Sequence, residues 1–206
     1  MSAKKQDEIL GPHPEPDAFG CHTLAEDTNT NSGVPHRVLS QEDESRDETV
    51  EQLREALIQH HTSKEMRERN RRKRESLLQL GYPINETKIH RFPHADKTRK
   101  GNLAEVFLAE YIVSANDAEL PVYRLRYNPN VEQSMKGDDV LAFDFHSERV
   151  RILVGEAKFR GTPSKAAVED IVSGLIRSHR AGLPASLQFV ADRLFETDNM
   201  DLGRRV

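Results

Sequence analysis

Read for apolar spacing, the chain has an irregular opening followed by a patterned remainder. Up to about residue 46, Pro12, Pro14, Pro16, Gly20, Gly33 and Pro35 interrupt every short apolar group, and no period emerges. From Thr49 the spacing becomes helical: Val50, Leu53, Leu57 and Ile58 share a face, with Thr49 and Gln52 placed as a capping box. The helix continues or restarts through KEMRERNRRKRESLLQLGY and stops at Gly81 and Pro83. Thr87 to Phe92 favours β structure. GNLAEVFLAEYIVSA, with Asn102 and Glu105 spaced as a second capping box, carries apolar residues on most faces and predicts a buried helix.

Leu120 to Tyr127 alternates as a strand does, and the following NPN is a turn signal. Two extended runs then follow, Val140 to Phe145 and Val150 to Lys158. The four residues His146 to Arg149 between them suit an antiparallel hairpin. Thr162 as N-cap and Pro163 at the first helical position open another helix. Its apolar stripe runs from Val168 to Ile176 and reaches His179, a lone histidine read as structural. Gly182 and Pro184 end it, Ser186 to Ala191 reads as a last strand, and a polar tail closes the chain. The order is helix, strand, strand, strand, helix, strand. It predicts an α/β domain over residues 84–192, preceded by a flexible acidic arm (1–46) and a basic helical segment (47–82), and followed by a tail (193–206).

Composition sharpens this division. The 206 residues are 36% apolar and 31% charged, with a mean hydropathy of −0.71, low for a wholly packed chain. The acidity is local: residues 1–50 hold eleven acids and four bases, whereas the chain as a whole carries −4. Such an arm can compete with a polyanion for a basic face. It also holds His13, His22 and His36, but without metal-ligand spacing. The basic run from Lys64 to Arg74 suits phosphate contact or partner docking, or else a solvated face laced with Glu65–Arg69 and Glu68–Arg72 pairs. One cysteine, Cys21, excludes an internal disulfide, and no apolar run is long enough to span a bilayer. With no signal-peptide pattern at the N-terminus, the expectation is a cytoplasmic protein with no membrane contact.

The candidate chemistry lies in the hairpin. On an extended run Ile152, Val154, Glu156 and Lys158 share one face, and pairing brings Asp138 and Asp139 alongside the Glu156 end. Two carboxylates and a lysine would then converge. Mg²⁺ takes one or two carboxylates and keeps its other positions for water and phosphate oxygens, so the cluster suits phosphodiester hydrolysis. Against this stands a surface ion pair of Glu156 with Lys158. Glu105 either caps its helix or, sharing a stripe with Leu108 and Ile112, points inward to the same place.

Asp138-Asp139 followed by Glu156-Ala157-Lys158 looks like the PD-(D/E)xK nuclease signature. The wider string, KGNLAEVFLAEYI, LPVYRL, KGDDVLAF and VGEAKFRG, resembles the HamA-like nuclease subunit of Hachiman anti-phage defence systems, over about Lys100 to Val190. The resemblance implies an αβββαβ core with a mixed central sheet. It also implies a Mg²⁺- or Mn²⁺-dependent deoxyribonuclease, with DNA as substrate and a helicase subunit as partner. By the same resemblance Asp139, in a Gly-x-Asp position, and Glu156 would hold metal, with Asp138 as second candidate and the Ala157 carbonyl assisting. Lys158 would orient the water and Glu105 would support the metal, while Arg124, Arg126, Lys136 and Arg160 would contact flanking phosphates. The proline usual before the aspartate is absent. Alternative functions are a non-catalytic DNA-binding scaffold on the same fold and a DNA repair nuclease.

Overall fold

The computed structural model describes residues 7–8, 10–14, 23–31, 33–41, 46–82, 92–146, 150–162 and 164–206. In chain order these form β1 (Thr23–Asn29), β2 (Pro35–Gln41), α1 (Arg46–His61), α2 (Lys64–Gln79) and α3 (Asp96–Asn116). A 3₁₀ turn (Arg124–Tyr127), β3 (Val140–Asp144), β4 (Arg151–Gly155) and α4 (Lys165–Arg177) follow. A π-helical turn (Ser178–Gly182), α5 (Leu183–Glu196) and α6 (Met200–Arg205) complete the described residues.

The most apolar strand, VLAFD, is buried at all five positions and organises the core. β4 pairs with β3 antiparallel, Val140 opposite Gly155 and Asp144 opposite Arg151. On the other edge of β3, Glu119 and Phe143 exchange both backbone hydrogen bonds, at 2.8 and 2.9 Å. Leu141 and Phe143, two apart and so on one face, pack with Val122 and with Val190 and Leu194 of α5. Helix α3 packs over β3 and β4. It approaches so closely that a Cβ on Gly155 would stand 3.0 Å from Ile112 Cδ1 and 3.1 Å from Leu108 Cδ2. The result is a mixed α/β fold with two small antiparallel sheets among the described residues, β1–β2 and β3–β4.

Several expectations need correction. The first predicted strand, Leu120 to Tyr127, is irregular chain after the bridge at Glu119 and ends in the 3₁₀ turn. Its alternation has another cause: Leu125 is buried, while Arg124 and Arg126 turn back to bind backbone carbonyls. The last predicted strand, Ser186 to Ala191, lies inside α5, because Leu187, Val190 and Leu194 recur at helical spacing and meet the core. Pro184, expected to end a helix, instead sits in the first turn of this one, where its missing N–H costs nothing. The expected tail continues α5 and forms α6, with Leu202 and Val206 packed on the core.

The helix starts also move. α1 begins at Arg46 and α3 at Asp96, so Thr49 and Asn102 lie within helices and are buried rather than capping. Asn102 instead bonds His61 Nε2 at 2.9 Å. The cap of α4 is Ser164, whose hydroxyl accepts from Ala167 N, rather than Thr162. Pro163, the β-favouring 87–91 and the turn residues 147–149 lie outside the described residues.

Within the expected irregular arm, β1 and β2 form a seven-pair hairpin, Thr23 opposite Gln41 through Asn29 opposite Pro35. Arg37 fastens it to α3. Its side chain, 6% exposed, donates to Asp27 at 2.6 and 2.7 Å, to Gly11 O at 2.8 Å and to Tyr111 Oη at 3.2 Å. His13 reaches the same tyrosine hydroxyl at 3.0 Å, whereas His36 pairs with Thr28 within the hairpin. No helix among the described residues is long and apolar enough to cross a membrane.

Candidate active site

The β3–β4 register fixes the site. Because Val140 faces Gly155, the next residue outward on each chain, Asp139 and Glu156, meets at the open end of the hairpin. Asp139 Oδ2 accepts a hydrogen bond from the Ala157 N–H at 2.9 Å, which ties the two runs together beyond their last strand pair. Lys158 Nζ forms an ion pair with Glu156 Oε1, with side-chain exposures of 29% and 17%. Glu156 also lies against α4, where a Cβ on Gly174 would stand 3.0 Å from its carboxylate carbon and from Oε1. Glu105 enters from the middle of α3, on the inward side. The capping alternative is excluded because α3 has already run for nine residues before it.

Electrostatics join these groups. Burial pushes the Glu105 carboxyl from an ordinary 4.5 up to about 7, and the negative charges of Asp139 and Glu156 push the same way against Arg124 and Lys158. Asp139 is also raised, first by burial and further by Glu156, while the Ala157 N–H, Arg124 and Lys158 oppose the rise. Three carboxyls therefore share one field with two cations, and two of them are held above their usual range. The site is short of positive charge.

Arg124 acts as a brace. Nη1 donates to the carbonyl of Asp138 and Nη2 to that of Met135 at 2.5 Å, so its fork holds the loop that carries both aspartates. It is committed to backbone and is not free for a phosphate. Arg126 is occupied too, donating to Gln59 O at 2.8 and 2.7 Å and stacking 4.2 Å from the Tyr123 ring centroid. Lys136 is exposed in the loop before the aspartates, beside the cavity described below. Arg160 is exposed beyond Lys158, with Asp170 at 3.7 Å. Asp138, 6% exposed, has its N–H on Ser186 Oγ and its Oδ2 buried without a hydrogen-bond partner among the described residues. The structure thus brings together Asp139, Glu156, Lys158, Glu105 and the Ala157 backbone, with Asp138 on the wall of the same cavity as Glu105 and Asp139, and sets Arg126 apart. His179 is exposed in the π-helical turn.

A cavity of about 330 Å³ opens beside these groups, walled by Leu120, Val122, Leu141, Phe189 and Val190 and reaching Glu105 and Asp139. Behind it His60, 4% exposed, pairs with Glu110 at 2.6 Å. Two residues shape the site in ways the sequence did not show: Arg124, expected at a phosphate, is a brace, and Gly174, not singled out at all, is the seat for Glu156. Gly174 carried a signal, an isolated glycine inside an amphipathic helix, which marks close packing.

Among the described residues no group of three or more His, Cys, Asp or Glu side chains is arranged to hold a metal ion. The pair Asp139 and Glu156 remains. It is an all-oxygen donor set in a field that lacks compensating charge, and Mg²⁺ or Mn²⁺ held by two carboxylates completes its shell with water and substrate oxygens. The donors fit such an ion.

Comparison with known proteins agrees with the wider string. A family model described as HamA matches residues 17–204. A Bacillus cereus protein described as Hachiman protein HamA is 41% identical over 198 residues, which cover 96% of this chain and 71% of that protein. The matched region takes in every element that builds the site, and on this likeness the chain belongs to the HamA family.

Proposed function

We propose that this protein is a metal-dependent DNA endonuclease of the PD-(D/E)xK type, acting with a helicase subunit in a Hachiman anti-phage defence system. The system follows from the family and from the relative that bears the Hachiman name. The chemistry rests on one observation above all: Asp139 and Glu156 meet at the end of a register-fixed hairpin, with Lys158 on the second carboxylate.

In this reading α3, β3, β4 and α4 are the parts of the PD-(D/E)xK core that carry the site. Asp139 and Glu156 hold Mg²⁺, which when bound supplies Lewis acidity toward a phosphoryl oxygen and a water of lowered pKa. Lys158, kept beside Glu156, orients the attacking water and places a positive charge near the phosphate oxygens. Glu105, with a carboxyl near 7, holds or releases a proton at neutral pH next to Asp139. The Ala157 N–H keeps one Asp139 oxygen fixed, leaving the other for the ion.

The test is degradation of supercoiled plasmid by the full chain, alone and with its co-purified helicase subunit. Cleavage that needs Mg²⁺ or Mn²⁺ and is lost in Glu156→Ala and Lys158→Ala supports the reading; equal cleavage by those variants overturns it. A second reading, a DNA-binding scaffold without turnover, draws on the lack of a three-ligand group among the described residues. Calorimetric titration with Mn²⁺ separates the two, since a scaffold gives no binding that Asp139→Asn removes.

A further inference from the structure

Helix α2 is not accounted for by the site. None of its sixteen residues is buried, and it carries seven bases to three acids in a chain whose net charge is −4. A polar helix without a packed face must be held by local interactions. These are present: Ser63 caps it by accepting from Met66 N at 3.1 Å. Glu68 binds Arg71 and Arg72, and Arg71 also reaches Glu75, at 2.8 to 2.9 Å. The carboxylates are therefore spent inside the helix.

Their placement matters. At about 100° per residue, Glu65, Glu68 and Glu75 fall within an arc of roughly 80°, and the rest of the circumference carries no acid. Lys64 and Arg67 lie on one flank of that acid-free surface and Arg69 and Lys73 on the other, with Met66, Leu77, Asn70 and Arg74 between. None of these four cations forms a salt bridge among the described residues. At the N-terminal end the helix meets the body of the protein, where the partly buried Arg126 guanidinium feels Glu65 more than Arg67, so the acidic arc lies toward the body.

Cations on opposite flanks of one helix match a polyanion that presents charge on both sides of a helix-wide groove. The major groove of duplex DNA, about 12 Å across between two phosphate backbones, accepts a helix about 10–12 Å in diameter. We propose that α2 docks in the major groove of a duplex, with Lys64 and Arg67 on one phosphate backbone and Arg69 and Lys73 on the other, the acidic arc facing away. This deepens the nuclease reading, which supplies the reason for a duplex ligand, and makes α2 a sequence-independent grip outside the cleavage site.

The test is fluorescence anisotropy of the full chain with a labelled duplex, in EDTA so that no turnover occurs, across a salt series. Replacing Lys64, Arg67, Arg69 and Lys73 by Gln, a good helix former, should weaken binding at least about tenfold and flatten the log–log salt slope by about 3 to 4. The paired variants Lys64→Gln/Arg67→Gln and Arg69→Gln/Lys73→Gln should each remove about half of that slope, with circular dichroism checking the helix. Unchanged affinity and slope, an effect confined to one flank, or equal binding of polyglutamate would overturn the assignment, the last pointing to an acidic protein partner. A wild-type chain that binds through α2 but never cleaves with Mg²⁺ removes the nuclease reading and leaves the grip; a Gln variant that binds and cleaves normally does the reverse.

Discussion

The backbone N–H of Ala157 donates to Asp139 Oδ2 at 2.9 Å, across the mouth of the β3–β4 hairpin. This bond joins the aspartate to the strand end that carries Glu156 and Lys158, and burial sets the aspartate charge against the fold. Asp139→Asn keeps the shape and an acceptor for the Ala157 N–H while removing the charge. The variant should lose metal-dependent cleavage by at least about a hundredfold yet melt no lower than wild type at pH 8. A melting point several degrees lower would show that Asp139 is there for the fold.

Gly174 separates function from stability in another way. Alanine in a helix interior is favoured over glycine by about 1 kcal/mol, but here the new methyl would press on the Glu156 carboxylate at 3.0 Å. The flexible end of Glu156 can yield. Gly174→Ala should therefore keep or raise the denaturation midpoint while cutting cleavage about tenfold or more, because the displaced carboxylate is the one paired with Lys158 and proposed to hold the metal. Undiminished activity would mean that Glu156 has room to spare.

Glu105 gives a pH signature. Its folded pKa of about 7 lies above the ordinary 4.5, so the folded state binds this proton more tightly than the unfolded chain. The stability this group contributes is present below about pH 4.5 and is lost as pH rises through 7. At about 1.4 kcal/mol per pH unit, the loss approaches roughly 3 kcal/mol by pH 8. Urea titrations without divalent ions should show Glu105→Gln gaining on wild type between pH 5 and pH 8. Parallel curves at the two pH values would mean that the carboxyl is solvated after all.

Arg124 spends its fork on the carbonyls of Asp138 and Met135. Hydrogen bonds to a charged group contribute about 1.5–3 kcal/mol each, so Arg124→Met should destabilise by about 2–4 kcal/mol and lower cleavage as the aspartate loop loosens. Lysine should restore little, since one ammonium cannot hold two carbonyls in a planar fork. Full rescue by Arg124→Lys would indicate that charge alone matters, as it would for a phosphate contact.

What the sequence disclosed and what it hid divide along physical lines. The β3–β4 pairing was legible because two short apolar runs around a four-residue gap leave little choice of register, and with it came the meeting of Asp139 and Glu156. The stripe with Leu108 and Ile112 offered an inward Glu105 beside a capping role, and only the start of α3 at Asp96 decides between them. The capping-box spacings at Thr49 and Asn102 misled, since the same residue types occur inside buried helical turns where tertiary partners such as His61 satisfy them. Ser186 to Ala191 was too short to tell strand from helix, and only the wider spacing of Leu187, Val190 and Leu194 decides it. Arg124 and Arg126 looked like free phosphate contacts because a sequence does not show which carbonyls a guanidinium will find.

β3 has a neighbour on each edge, β4 along one side and Glu119 on the other, and side chains against both faces. A strand enclosed in this way is among the last parts of a protein to open, and its amides should exchange with solvent only by near-global unfolding. Asp139 is thereby fixed one residue before this enclosed strand, and Glu156 one residue beyond the partner strand that pairs with it. Under the proposed function, a partner that restrains cleavage would leave this strand closed and act on the approach of DNA or on the Arg124-braced loop before it.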